Sequence, residues 1–228
     1  MKRFYKDASV AGEGGAFRVL LDGKPVKTPS RDVLAVPTRA LADAIADEWR
    51  AQAEAIDPKA MPLTGLAMAA IDGVAAERAA QALAFAKSDL LCYRAGEPVE
   101  LVSRQASAWD PLLDWVAGRH GAQLSVATGI MFVDQPAEAL AALERAVAGL
   151  GPFHLMGLHS AAAITGSLVL ALALAEGRVS GADAFAASRI DEAFQAGKWG
   201  ADAEATAREA HIEAELAAAG RFLRSLDA

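Results

Sequence analysis

Leu41, Ile45, Trp49 and Ala53 recur every four residues, with Asp43, Asp47, Arg50 and Glu54 between them. That spacing predicts an amphipathic α-helix with one buried side. Thr38 follows Pro37 and stands where its hydroxyl can cap the first free N–H groups. Pro58 and Pro62 end the helix in a stiff elbow, and Thr64 can cap a second apolar helix over Leu63–Val74. The pattern before this segment is different. Phe17–Leu21 is a short apolar run, Asp22-Gly23 is a two-residue hairpin signal, and Val26 and Thr28 continue on a returning strand. Val33–Val36 reads as a further short strand, and Gly12, Gly14 and Gly15 as a loop ahead of the hairpin.

Beyond the elbow the pattern is helical. Helices are expected over Ala75–Tyr93, from a start at Asp110-Pro111 to Gly118, from Pro136 towards Gly149, over Phe153–Ala175, and over Ala203–Leu226. Ser180 and Asp183 resemble a capping box for another that runs to about Gln195, with a break at Gly197. Leu124–Val133 reads as extended. The fold class is therefore α+β: a small N-terminal antiparallel β domain (1–37), a linking helix and elbow (38–62), and a larger all-helical domain (63–228).

One stretch raises a membrane reading, since no Asp, Glu, Lys or Arg lies between Arg145 and Glu176. Leu155–Ala175 is long enough to span a bilayer. Gly151 and Pro152 interrupt its start, polar residues such as His159 and Thr165 dilute it, and no basic cluster flanks it. A buried helix of a water-soluble protein has the same all-round apolar character, and that is the expectation here. The start, MKRFYKDASV, lacks the apolar core of a signal peptide. Apolar residues make up 54% of the chain and charged ones 22%, enough for a core and against disorder. A net charge of -7 disfavours a nucleic-acid partner. Cys92 is the only cysteine, which excludes an internal disulfide and suits a reducing, cytoplasmic compartment. A monomer is expected, since no heptad seam appears.

Catalytic chemistry has little to stand on. GEGGAF lacks the third glycine of a dinucleotide fingerprint, and Pro25 after Gly23-Lys24 excludes a P-loop. His120, His154, His159 and His211 have no metal-ligand spacing, and Cys92 reads as a core thiol, so neither metal nor cofactor is expected. Asp191 and Glu192 are adjacent and diverge by about 100° on a helix, so they share no acid–base site. Two polar–aromatic clusters remain. Glu48, Trp49, Gln52 and Pro62 sit at the domain junction, where a structural role is expected. Asp191, Glu192, Gln195 and Trp199 form the candidate partner-binding group, Glu192 and Gln195 sharing a helix face. For a single tryptophan, core packing is the plainer expectation, and a binding anchor the functional one.

Ordered motifs run almost the whole length: FYK at Phe4–Lys6, LDGKPVKTP at Leu21–Pro29, VPT at Val36–Thr38, LADAIADEW at Leu41–Trp49, IDP at Ile56–Pro58 and MPLT at Met61–Thr64. They continue with AID at Ala70–Asp72, SDLLCYRA at Ser88–Ala95, QASAWDPLLDW at Gln105–Trp115 and DEAFQAGKWG at Asp191–Gly200. In these the chain resembles the assembly chaperones of F-type ATP synthase that bind the free alpha subunit of the catalytic head. The family typically has arginine after MPLT, where Gly65 stands here. Its mitochondrial members carry an import leader, so the chain looks like a bacterial member. The resemblance implies a two-part fold, no ATPase activity, and the unassembled alpha subunit as partner. The alternative from another class is a small-molecule enzyme with a site between the β and helical domains.

Overall fold

The computed structural model describes residues 1–200 and 202–227. Strands β1 (Ala8–Glu13) and β2 (Ala16–Leu21) pair antiparallel through a turn at Gly14 and Gly15, both at positive φ. β1 corrects the expectation of a glycine loop, since Gly12 lies inside the strand opposite Phe17. The far edge of β2 pairs with β3 (Lys24–Pro25) and β4 (Ala35–Val36). Asp22 and Gly23 make the β2–β3 turn at φ 47° and 77°, the left-handed pair that a two-residue hairpin needs.

Helix α1 (Arg39–Arg50) lies on this sheet. Its stripe Leu41, Ile45 and Trp49 is buried against Val19, Leu21, Leu34 and Val36. Leu41 and Ile45 are fully covered, a gain of about 1.5–3 kcal/mol each. Thr38 caps α1 by accepting from Leu41 N–H at 3.2 Å. After a 3-10 turn at Pro58–Ala60 comes α2 (Pro62–Asp72), opened by Pro62 in its first turn.

Then follow α3 (Ala75–Ala84), two 3-10 turns at Phe85–Ser88 and Leu90–Cys92, and strand β5 (Tyr93–Arg94), so the helix expected to reach Tyr93 stops early. Asp89 directs this stop. Its carboxylate accepts from Leu91 N–H and Val169 N–H, each at 3.1 Å. Helix α4 (Val99–His120) contains Pro111 instead of starting there. The proline deprives the Ser107 carbonyl of its helical donor, and Ser107 is an exposed residue, where solvent can take the donor's place. Contacts beside the proline hold the helix through it: Trp109 Nε1 donates to Ala187 O at 2.8 Å, and Arg94 pairs with Asp110.

Only Ala127–Thr128 of the stretch expected to be extended forms a strand, β6, parallel to β5. Helix α5 (Ala137–Ala148) follows. The apolar run expected as one helix is two, α6 (Pro152–Thr165) and α7 (Leu168–Ala175). Gly166 terminates α6 at φ 70°, and Ser167 caps α7 by accepting from Leu170 N–H at 3.0 Å. Every residue from Leu168 to Leu174 is buried. Among the described residues no helix is long and apolar enough to cross a membrane. The helix expected from Ser180 is likewise two, α8 (Gly181–Ser188) and α9 (Ile190–Trp199), divided at Arg189. Gly197 lies inside α9, which ends at Gly200 with φ 81°. The last helix is α10 (Ala203–Leu226).

Candidate functional site

All four predicted partner-binding residues lie on α9, and polar contacts hold α9 and the short helix α8 before it. Ser180 and Asp183 form a true capping box at the head of α8: Asp183 N–H donates to Ser180 Oγ at 3.1 Å, and Ser180 N–H donates to Asp183 Oδ2 at 3.0 Å. At the α8–α9 junction the Arg189 guanidinium forks onto Glu209 of α10, Nε to Oε2 at 3.0 Å and Nη2 to Oε1 at 2.7 Å. Its remaining nitrogen meets Glu192 Oε1 at 3.0 Å. The fork holds the Glu209 carboxyl below its usual range and pushes the guanidinium up.

Asp191 faces inward and accepts from Gln105 Nε2 at 2.7 Å. Gln105 is 1% exposed, and its Oε1 accepts from Ala95 N–H at 2.8 Å. One buried amide thus ties α9 to α4 and to the end of β5. Phe194 is also buried, with Arg104 and Lys198 over its ring. The neighbouring face of α9 is uncovered. Glu192 and Gln195 are exposed, and Trp199 is 78% exposed, so the core-packing expectation fails for that tryptophan.

The structure therefore separates the four residues of this group. Asp191 belongs to the scaffold, while Glu192, Gln195 and Trp199 face solvent. Behind Glu192 lies a cavity of about 280 Å³ against the α6–α7 junction at Gly166. A larger groove of about 750 Å³ runs between α4 and α8–α9, floored by Leu112, Val179 and Ile190.

The other cluster lies in the sheet-side core. Trp49 is 7% exposed, its ring edge-on to Tyr5 at 5.6 Å, and Tyr5 Oη donates to Trp49 O at 2.6 Å. The Glu48 carboxylate accepts from Leu63 N–H at 2.8 Å, Thr64 N–H at 2.8 Å and Thr64 Oγ1 at 2.7 Å. It caps α2 from another helix, just after Pro62, at the terminus where free N–H groups and the helix dipole favour an anion. Thr64, expected to cap this helix itself, instead donates to Glu48. Gln52 bridges Glu48 O at 3.0 Å and Asp57 N–H at 2.7 Å.

Gly65 faces open space beside a cavity of about 380 Å³ that Pro62, His159 and Glu215 also line. Among the described residues no three His, Cys, Asp or Glu side chains gather as a metal site. Sequence reasoning missed the Arg189–Glu209 fork and the Gln105 bridge, whose partners lie 20 and 86 residues away. It also passed over Ile130, Met131 and Phe132, which stand exposed at 98%, 77% and 64%. Their signal was a run of four apolar residues, Ile130–Val133, between Gly129 and Asp134 with no helical period.

A family model described as ATP12 chaperone protein matches residues 2–117. The crystal structure of Atp12 from Paracoccus denitrificans superposes with a TM-score of 0.92 at 44% identity, over 99% of this chain and 98% of that one. The Atu1473 protein from Agrobacterium tumefaciens superposes with a TM-score of 0.94 at 45% identity, over 99% of this chain and 86% of that one. Protein atp12, mitochondrial, of Schizosaccharomyces pombe is 25% identical over 87% of this chain and 74% of its own. With half of its length matched by the family model and its whole fold shared with Atp12, the chain belongs to the ATP12 chaperone family.

Proposed function

We propose that this protein binds the unassembled alpha subunit of the F-type ATP synthase head and keeps it from aggregating until a beta subunit joins. A lone subunit of an alternating ring exposes a large apolar interface, and a chaperone that covers it stabilises it by mass action. Glu192, Gln195 and Trp199 are the contact residues in this reading, and Glu48, Trp49, Gln52 and Pro62 are structural. No catalytic step is involved. The observation that carries the reading is an outward row on α9, ending in an exposed tryptophan, on a helix whose inner side is locked by Gln105 and Arg189. An exposed tryptophan on a rigid support is the kind of residue that dominates interface energies.

The test is to measure melting temperature and suppression of alpha-subunit aggregation on one preparation of Glu192→Lys. Arg189 keeps its two bonds to Glu209 in that variant, and loss of its exposed pair with Glu192 costs about 0–1 kcal/mol. The fold should survive, while alpha-subunit binding weakens by about 1–3 kcal/mol in a salt-dependent way. Full suppression by the well-folded variant would remove Glu192 from the contact.

A further inference from the structure

We propose that the tip of the β6–α5 loop is a second docking surface, and that it takes an apolar patch flanked by basic side chains on the same alpha subunit, so it rests on the chaperone reading above. The tip is Ile130, Met131 and Phe132, and none of the three is half covered. A chain that exposes three large apolar side chains in succession leaves stabilisation unused that a partner can recover.

The loop is built to hold them there. At its base the Gln135 side chain, 8% exposed, grips both backbone groups of Ser125: Oε1 accepts from N–H at 2.8 Å, and Nε2 donates to O at 3.0 Å. Gly129 N–H donates to Arg94 O at 2.8 Å, and Gly129 turns the chain outward at φ 88°. Thr128 packs so closely on Gly96 that an added Cβ there would stand 3.2 Å from the Thr128 methyl. The segment Gly96–Glu100 therefore starts beside the base of the loop, and it carries Val99, itself 78% exposed.

The charges carried by the loop itself and by the segment Gly96–Glu100 beside it are of one sign. Glu97, Glu100, Asp134 and Glu138 are exposed and have no ion-pair partner among the described residues. No lysine or arginine occurs between Arg94 and Arg104 or between Arg119 and Arg145. Arg94 does not neutralise the patch, because its side chain is 10% exposed and paired with Asp110 at 2.7 Å.

This rim selects the occupant. A second copy docked about a two-fold axis would set the four carboxylates against themselves. An anionic lipid surface would meet the same repulsion. A partner whose apolar patch is edged by lysine or arginine is attracted, and the rim also speeds its encounter.

The probe is the isolated alpha subunit, titrated into the full chain at low and high salt. The triple variant Ile130→Ser, Met131→Ser, Phe132→Ser removes only exposed apolar groups and should melt like the wild type. It should bind the alpha subunit on the order of 100-fold more weakly. Glu97→Lys with Asp134→Lys should weaken binding about 10-fold at low salt, with the difference shrinking as salt rises. If the wild type binds and the triple variant binds equally well, the docking surface is overturned and the chaperone reading stands. If the wild type does not bind the alpha subunit, both fall. A change from dimer to monomer in the triple variant by light scattering would assign the tip to self-association. Loss of sedimentation with phosphatidylcholine vesicles would assign it to a lipid surface. Either result also overturns the proposal.

Discussion

Glu48 is a carboxylate in a helix that does its work for another helix. Three donors of Leu63 and Thr64 converge on it at 2.7–2.8 Å, and it is 9% exposed. Glu48→Ala leaves those buried donors unanswered and should cost about 2–4 kcal/mol in urea unfolding. Glu48→Gln keeps one acceptor oxygen and should cost less. Equal stability of Glu48→Ala and the wild type would show that water replaces the cap. Asp89 is the carboxyl that burial perturbs most directly. Burial pushes its carboxyl up to about 6, against the lowering effect of the Ser167 hydroxyl and the N–H groups of Val169, Leu91 and Leu168. An unfolded aspartate titrates at its ordinary 3.8, so between the two values the folded chain holds the proton more tightly. The stability contributed by Asp89 is then complete below about 4 and is lost as pH rises through about 6, a change on the order of 2–3 kcal/mol. The stability difference between wild type and Asp89→Asn should therefore move in favour of the variant over that window. A difference that stays constant with pH would refute the assignment. Glu209 has the opposite sign: its partner Arg189 holds it low, so its contribution is present at neutral pH and is lost on acidification.

At the scale of elements, helix ends matter more than helix composition. Thr165, Gly166 and Ser167 divide the apolar run because Gly166 takes a left-handed conformation and Ser167 supplies a fresh cap. The cut lets α7 turn while Leu168–Leu174 remain buried. Close packing of α6 on α10 depends on the absence of one side chain. A Cβ on Gly157 would stand 2.7 Å from Leu223 Cδ2 and 3.2 Å from Phe222 Cδ1. Gly157→Ala should therefore destabilise by about 1–2 kcal/mol, overpacking outweighing the better helix propensity of alanine. A higher melting temperature for that variant would mean that Leu223 has room to move aside. Helix α9 illustrates the functional side of the same rule. Arg189 begins it in a pocket of carboxylates, Gln105 fixes its inner face, and Gly200 stops it where Trp199 is free.

In the whole molecule, two apolar clusters are joined through the last helix. Leu216, Ala219 and Leu223 of α10 belong to the cluster around α6 and α7, while Phe222 and Leu226 belong to the cluster over the sheet. The Thr38 hydroxyl donates to Ser225 O and fastens the start of α1 to the end of α10. A client-binding defect is therefore informative only in a variant whose melting is unchanged. The exposed residues Glu192, Trp199 and Ile130–Phe132 satisfy that condition by position, and buried Trp49 does not.

The α1 stripe, the Asp22-Gly23 turn, the Ser180–Asp183 box and the succession of β then helical segments were legible in the sequence, because each is set by neighbours within a few residues. Periodicity, turn conformation and capping are local physics. Family membership was legible as well, through ordered motifs such as those at Leu41–Trp49 and Asp191–Gly200. What tertiary structure alone decided were the matters settled by distant partners. Pro111 stays within a helix because Trp109 and Asp110 are anchored from outside it. β1 is a strand because β2 offers it a register. Asp191 turns inward because Gln105, 86 residues away, waits for it, whereas Trp199 turns outward because no such partner reaches it among the described residues. A local pattern states that a side chain is polar or apolar. Whether it is a strut or a contact is settled only when the chain has brought its partner, or solvent, to its side.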